Sequence, residues 1–222
     1  MIVNLGRRLR LILSEREDPA PPDIEALPRT TRRIEFVAYA EDCVVTGRVR
    51  MTAGRLTDAL NDHDEYELVD VFVERLADGV ALEVPRFFVT RDDLLLVRAN
   101  GPRGDQSRRR RTRPHPLDIE TGPYKVRGYF HAPPGVDPMV AIHRREPMIP
   151  LTDAWIEYDT ASGPTRQRFG TILVNREQAD RIDYAVDVRV EMPEFPATGG
   201  EPGVLLKDFT GAILAGSTSR GS

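Results

Sequence analysis

One seven-residue stretch of this chain is written twice. Residues 68–74 read Leu-Val-Asp-Val-Phe-Val-Glu, and residues 151–157 read Leu-Thr-Asp-Ala-Trp-Ile-Glu. Leucine, aspartate and glutamate coincide, while Val71 answers to Ala154, Phe72 to Trp155 and Val73 to Ile156. Both stretches have the alternation of a strand with one buried face. The match extends outward in order. Val45-Thr46-Gly47-Arg48-Val49 aligns with Val126-Arg127-Gly128-Tyr129-Phe130 at a spacing of 81 residues, and the core strands are spaced by 83. Phe87-Phe88-Val89-Thr90-Arg91-Asp92 aligns with Ile172-Leu173-Val174-Asn175-Arg176-Glu177 at 85. The spacing grows by two residues at each of two loops, where insertions between fixed strands fall. A period of about 80 residues exceeds that of most solenoid repeats, so it predicts a duplicated domain.

The expected fold is all-β. It consists of two tandem five-stranded small barrels, a short N-terminal helix and a C-terminal tail with no fixed fold. Residues 1–17 place Leu5, Leu9, Ile12 and Leu13 at helical spacing, with Arg7, Arg8, Arg10 and Arg16 mostly elsewhere. This predicts an amphipathic helix whose apolar face docks on its own barrel or on a neighbour's. A membrane-surface helix is the weaker reading, because the face is short and lacks an aromatic anchor. Residues 18–32, with Pro19, Pro21 and Pro22, predict an extended linker.

The first barrel is expected over 33–98, with strands at 34–39 and 45–51, the core strand, and two more at 84–90 and 94–98. Gly47 at an inward position predicts a sharp bend, and Ala77-Asp78-Gly79 predicts a hairpin turn. Residues 99–117 read as an exposed interdomain linker, with Gly101-Pro102, Gly104 and the arginine run. The second barrel is expected over 118–192, closing on an extra strand at 186–192. Residues 193–222 are expected to be disordered, with apolar patches at 204–206 and 213–215.

Composition narrows the functional classes. The chain has 222 residues, of which 40% are hydrophobic and 30% charged. No apolar run approaches the roughly 18 residues of a membrane span. The charges of Arg7 and Arg8 follow the first apolar residues, the reverse of a signal peptide's order. A single cysteine, Cys43, permits no intrachain disulfide, which fits the cytoplasm. The net charge of −4 conceals an asymmetry: residues 103–113 carry six Arg and one Asp, hence +5, and the remainder sums to −9.

Catalytic constellations are sparse. His63, His131 and His143 have no ligand spacing and are expected as surface loop residues. Cys43 follows Glu41-Asp42, and neighbouring carboxylates disfavour a thiolate. Asp70 with Glu74, and Asp153 with Glu157, share a strand face about 13 Å apart at roughly 3.3 Å per residue. That is too far for an acid–base pair and is the pattern of a solvated face. Gly199-Gly200-Glu201-Pro202-Gly203 precedes no phosphate-binding helix. No enzyme activity, metal or cofactor is expected.

The order and spacing of strands resemble the Sm-like family of small, strongly bent β-barrels within the SH3-like group. The pieces that carry the resemblance are Gly47, Asp58 and Asn61 before the core strand, Glu74 ending it, and Val89-Thr90-Arg91-Asp92. They cover part of a resemblance extending over about 130 residues, and the motifs are loose. Sm-like proteins form rings by pairing edge strands, and many bind RNA with the loops before the third strand and after the fourth. The resemblance therefore implies Asp58, Asn61 and Arg91 as nucleic-acid contacts. Asp58 and Asn61 lie three apart where the family's pair lies four apart, and the second copy keeps only Asn175-Arg176. The segment Arg55-Leu56-Thr57-Asp58-Ala59-Leu60-Asn61 is also similar to uncharacterised bacterial barrels.

Arg108, Arg109, Arg110 and Arg111 form a basic strap that either keeps the acidic barrels apart or touches phosphates. Arg109 and Arg113 have the first spacing of the cyclic-dinucleotide receptors called PilZ domains, but Asp159-Thr160-Ala161-Ser162-Gly163 misses the second motif. The leading expectation is a non-enzymatic, cytoplasmic assembly protein. It would form a homo-oligomer through barrel edges or the Leu5/Leu9/Ile12/Leu13 face, or bind a protein partner. Nucleic-acid binding is the runner-up.

Overall fold

The computed structural model describes residues 2–4, 10–12, 32–101 and 111–185. These residues are mostly strand, as the alternating pattern predicts, with two short helices. The N-terminal element differs from the expectation. Ile2–Asn4 (β1) and Arg10–Ile12 (β2) form a two-stranded antiparallel sheet, with Ile2 opposite Ile12, so residues 1–17 are not one helix. Leu5, Leu9 and Leu13 lie outside the described residues.

The remaining ten strands make one antiparallel sheet. Arg33–Tyr39 (β3), Cys43–Arg50 (β4), Glu65–Arg75 (β5), Ala81–Thr90 (β6) and Leu96–Arg98 (β7) come from the first half. Arg113–Thr121 (β8), Tyr124–Ala132 (β9), Met148–Thr160 (β10), Gly163–Asn175 (β11) and Arg181–Tyr184 (β12) come from the second. Leu56–Asp62 (α1) precedes β5, and Pro138–His143 (α2) precedes β10. The sheet order is β12-β8-β9-β10-β11-β7-β3-β4-β5-β6. Each half therefore lays its fifth strand beside its first and continues as a meander. The sheet is not closed: β7 joins the halves by pairing with β3 on one side and β11 on the other. All described residues fall within one compact unit, Met1–Val188.

Local chemistry explains the bends. In β5 the ladder with β4 slips between the pairs Thr46–Phe72 and Arg48–Val69. In β10 the ladder with β9 slips between Tyr129–Thr152 and Arg127–Trp155. At each slip an aspartate takes a left-handed conformation, Asp70 at φ 52° and Asp153 at φ 50°. Aspartate tolerates that region better than most residues, and the extra residue is a β-bulge that sharpens the twist. A glycine sits opposite each bulge. A Cβ on Gly47 would lie 3.1 Å from Val71 Cγ2, and one on Gly128 would lie 2.9 Å from Ala154 Cβ. The bulge leaves the common face of the carboxylates in place. Asp70 and Glu74 both stay on the exposed face, as expected, and Asp70 pairs with Arg48 on the neighbouring strand.

Two buried clusters lie against the sheet. Phe36, Val45, Leu68, Val73 and Val89 are in the first. Leu117, Tyr124, Phe130, Ile156 and Ile172 are in the second. The β5–β6 hairpin turns where expected, with Gly79 at φ 68° and Arg75 paired to Asp78. Strand β8 starts at Arg113, ahead of the expected start at 118. Its Pro114 and Pro116 face His131 and Tyr129 of β9, while β12 covers only Leu117–Glu120. A proline's missing N–H is tolerated where one side of the strand has no ladder. Residues 102–110, 186–192 and the tail 193–222 lie outside the described residues.

Candidate functional site

The seam between the halves is built from short segments that each serve two neighbours. Val97 of β7 sits opposite Ala38 of β3 and Leu173 of β11, and Leu96 sits opposite Tyr39 and Val174. Flanking backbone bonds extend the ladder: Asn175 N–H donates to Leu95 O at 2.9 Å and Ala99 N–H to Thr171 O at 3.3 Å. The cores interlock across it. Leu173 and Met148 are buried in the first cluster, whereas Tyr39, Leu95 and Leu96 are buried in the second.

Polar side chains close the ends of this seam. Asn61, from the last turn of α1, donates to Met148 O at 3.2 Å and accepts from Met148 N–H at 2.9 Å. Arg91 donates to Asn61 O and His63 O and pairs with Asp64 at 2.6 Å. The Arg91 carbonyl accepts from the fully buried Asn175 at 3.1 Å. On the other side Tyr39 meets Tyr124 and Tyr158 edge-on at 5.6 and 5.8 Å. Tyr39 donates to Gln167 and Tyr124 to Ala40 O. Burial is the main reason both phenols are held well above their ordinary pKa, so they stay neutral and act as packing and hydrogen-bonding groups.

The residues expected to touch nucleic acid are thus placed unequally. Asn61 and Arg91 come together, and both are engaged by the seam. Asp58 is exposed in the first turn of α1. Arg111 is exposed, and Arg108, Arg109 and Arg110 lie outside the described residues. Ile12 lies on β2. Arg113 begins β8, while 159–163 form the β10–β11 hairpin, and no described contact joins the two.

The remaining reactive types have structural partners. His131 is on a strand rather than in a loop, between Thr152 at 2.8 Å and Thr112 at 3.4 Å. Burial, then the neighbouring His115 and Arg145, lower its pKa. The Cys43 thiol is buried and pushed up to about 12, first by burial and then by Asp42. Asp153 pairs with Arg168 and Glu157 with Arg166, both exposed pairs of small energetic weight. Among the described residues no cluster of three or more His, Cys, Asp or Glu could hold a metal ion, and no helix is long and apolar enough to cross a membrane.

Edges were expected as contact surfaces, but sequence reasoning missed which strands supply them: the two ends of the ten-stranded sheet, β6 and β12. Among the described residues, no strand pairs with the outer edge of β6 or of β12. These edges correspond to the strands of the seam. The 85-residue spacing carries Phe87–Val89 of β6 onto Ile172–Val174 of β11, and Leu96–Arg98 of β7 onto Arg181–Asp183 of β12. Backbone bonds agree with that correspondence. Leu95 N–H donates to Tyr39 O at 3.0 Å, as Asp180 N–H does to Glu120 O at 2.8 Å. Arg91 N–H donates to Asp64 O at 2.8 Å, as Arg176 N–H does to Pro147 O at 2.9 Å. Phe88, which corresponds to the buried Leu173, is 57% exposed. The sequence signal for β12 is short, Ile182-Asp183-Tyr184, and reads as the approach to 186–192.

No protein-family model matches this chain, and no curated protein or solved structure matches it. The geometry therefore carries the functional reading alone.

Proposed function

We propose that this chain is a non-enzymatic assembly protein. In this reading it consists of two barrel-like five-stranded units of common origin and associates with copies of itself through its sheet edges. The observation that carries it is the pair of outer edges, β6 and β12, at the two ends of one antiparallel sheet. An unpaired edge offers a row of backbone donors and acceptors to another chain. The shared strand order of the halves, the paired bulges at Asp70 and Asp153, and Gly47 and Gly128 opposite them support the duplicated origin.

The groups with raised pKa support a structural role, because Tyr39, Cys43 and Tyr124 are packed in the cores. The nucleic-acid alternative is weakened by the engagement of Asn61 and Arg91 in the seam. Light scattering of the full chain at tens of micromolar tests the proposal: a mass of two or more chains is expected, and a monomer overturns it.

A further inference from the structure

We propose that association is directional: the β6 edge of one copy takes the β12 edge of the next, in the register the chain already uses between β11 and β7. This rests on the assembly reading above and adds the partner edge, the register and the contacts. In the seam, Leu173 faces Val97, with Asn175 N–H reaching Leu95 O and Ala99 N–H reaching Thr171 O. Transposed by the 85-residue spacing, Phe88 of one copy faces Ile182 of the next. Thr90 N–H then reaches Asp180 O, and Tyr184 N–H reaches Arg86 O. The ladder begins just past Pro85, the β6 residue with no N–H to give.

Side chains favour this pairing over pairing like with like. Leu173 points away from its own core and is buried in the other half's core. Phe88 likewise points out of its own core and is left 57% exposed, while Ile182 packs at the margin of the second core. Docking would set the phenyl ring over Ile182.

The seam's polar end has a charged counterpart. Leu60 and Ile142 are matching buried residues of α1 and α2, so His143 stands where Asn61 stands, and Glu65 opens β5 as Met148 opens β10. Directional docking therefore brings the exposed His143-Arg144-Arg145 end of α2 toward Asp64 and Glu65 of the next copy. Opposite charges favour that encounter. Each copy has one β6 edge and one β12 edge, so the contact is heterologous and propagates to a closed ring or an open filament.

Paired cysteines in full-length chains test the register. Facing residues in such a ladder have Cα atoms about 5.5 Å apart, within disulfide range of roughly 4.4–6.8 Å. A mixture of Phe88→Cys chains with Ile182→Cys chains should form covalent dimers on mild oxidation. Either variant alone should not, and Phe88→Cys with Tyr184→Cys should cross-link far less. In a separate arm Glu65→Arg should weaken association at least about tenfold, and adding Arg144→Glu and Arg145→Glu should restore it. A monomeric parent chain overturns assembly and this inference together. An oligomeric parent without the Phe88–Ile182 bond overturns this inference alone. Cross-linking of Phe88→Cys by itself overturns it too, in favour of a two-fold β6–β6 contact.

Discussion

The seam and the two outer edges are built from corresponding strands and finished in opposite ways. At the seam, β7 presents Leu96 and Val97 after Leu95, all buried, to the buried Ile172, Leu173 and Val174. At the outer edge the positions of Leu95, Leu96 and Val97 are held by Asp180, Arg181 and Ile182. Arg181 is tied to Glu120 at 3.0 Å, and Glu120 stands where Tyr39 anchors the seam's aromatic cluster. The same backbone frame thus yields one contact that excludes water and two surfaces that keep it. Permanent contacts resemble a protein core, and contacts that form and dissolve are more polar. The difference teaches that one strand pairing can be made part of the fold or left as an edge, according to a few side chains.

The sharpest break of this comparison is inside the seam. Leu173→Ala removes a buried side chain wedged into the other half's core, and should lower unfolding stability by about 2–5 kcal/mol in urea titrations. A loss under about 1 kcal/mol would show that the seam contributes little to the fold.

Asn61→Ala comes next. It deletes both bonds to Met148 and strands the Met148 N–H, at a cost of about 1–3 kcal/mol. If Asn61 instead served nucleic acid, the variant would unfold like the parent.

Phe88→Ser sharpens the other side. With the ring largely in water, monomer stability should change by no more than about 0.5 kcal/mol. The same variant should lose association by sedimentation. Loss of stability with association intact would reverse the contrast drawn between seam and edge.

Much of the local structure was legible in the chain. The strands around 34–39, 45–51, 68–74, 84–90 and 151–157 follow from alternation, and the Ala77-Asp78-Gly79 turn from its glycine, whereas the start of β8 and the whole of β12 were not read as strand. The bulges were not legible, because the repeated Asp70 and Asp153 read as ordinary outward residues until the neighbouring ladder slipped past them. The N-terminal segment misled because Leu5, Leu9, Ile12 and Leu13 fit a helix, while the pairing of Ile2 with Ile12 is set by a partner strand. Asn61 and Arg91 stood out only through the Sm-like resemblance, as nucleic-acid contacts, and their place at the seam was invisible. Their partners Met148 and Asn175 lie far along the chain.

The sequence alone determined an all-β chain, because side-chain alternation and turn residues act over a few positions. Only the tertiary structure decided that β7 would serve both halves, that Asn61 and Arg91 would close the seam, and that β6 and β12 would lie at the ends of the sheet. Backbone donors and acceptors are the same in every strand. Which edges meet is therefore settled by the packing of residues distant in sequence, once the chain has folded around its two cores.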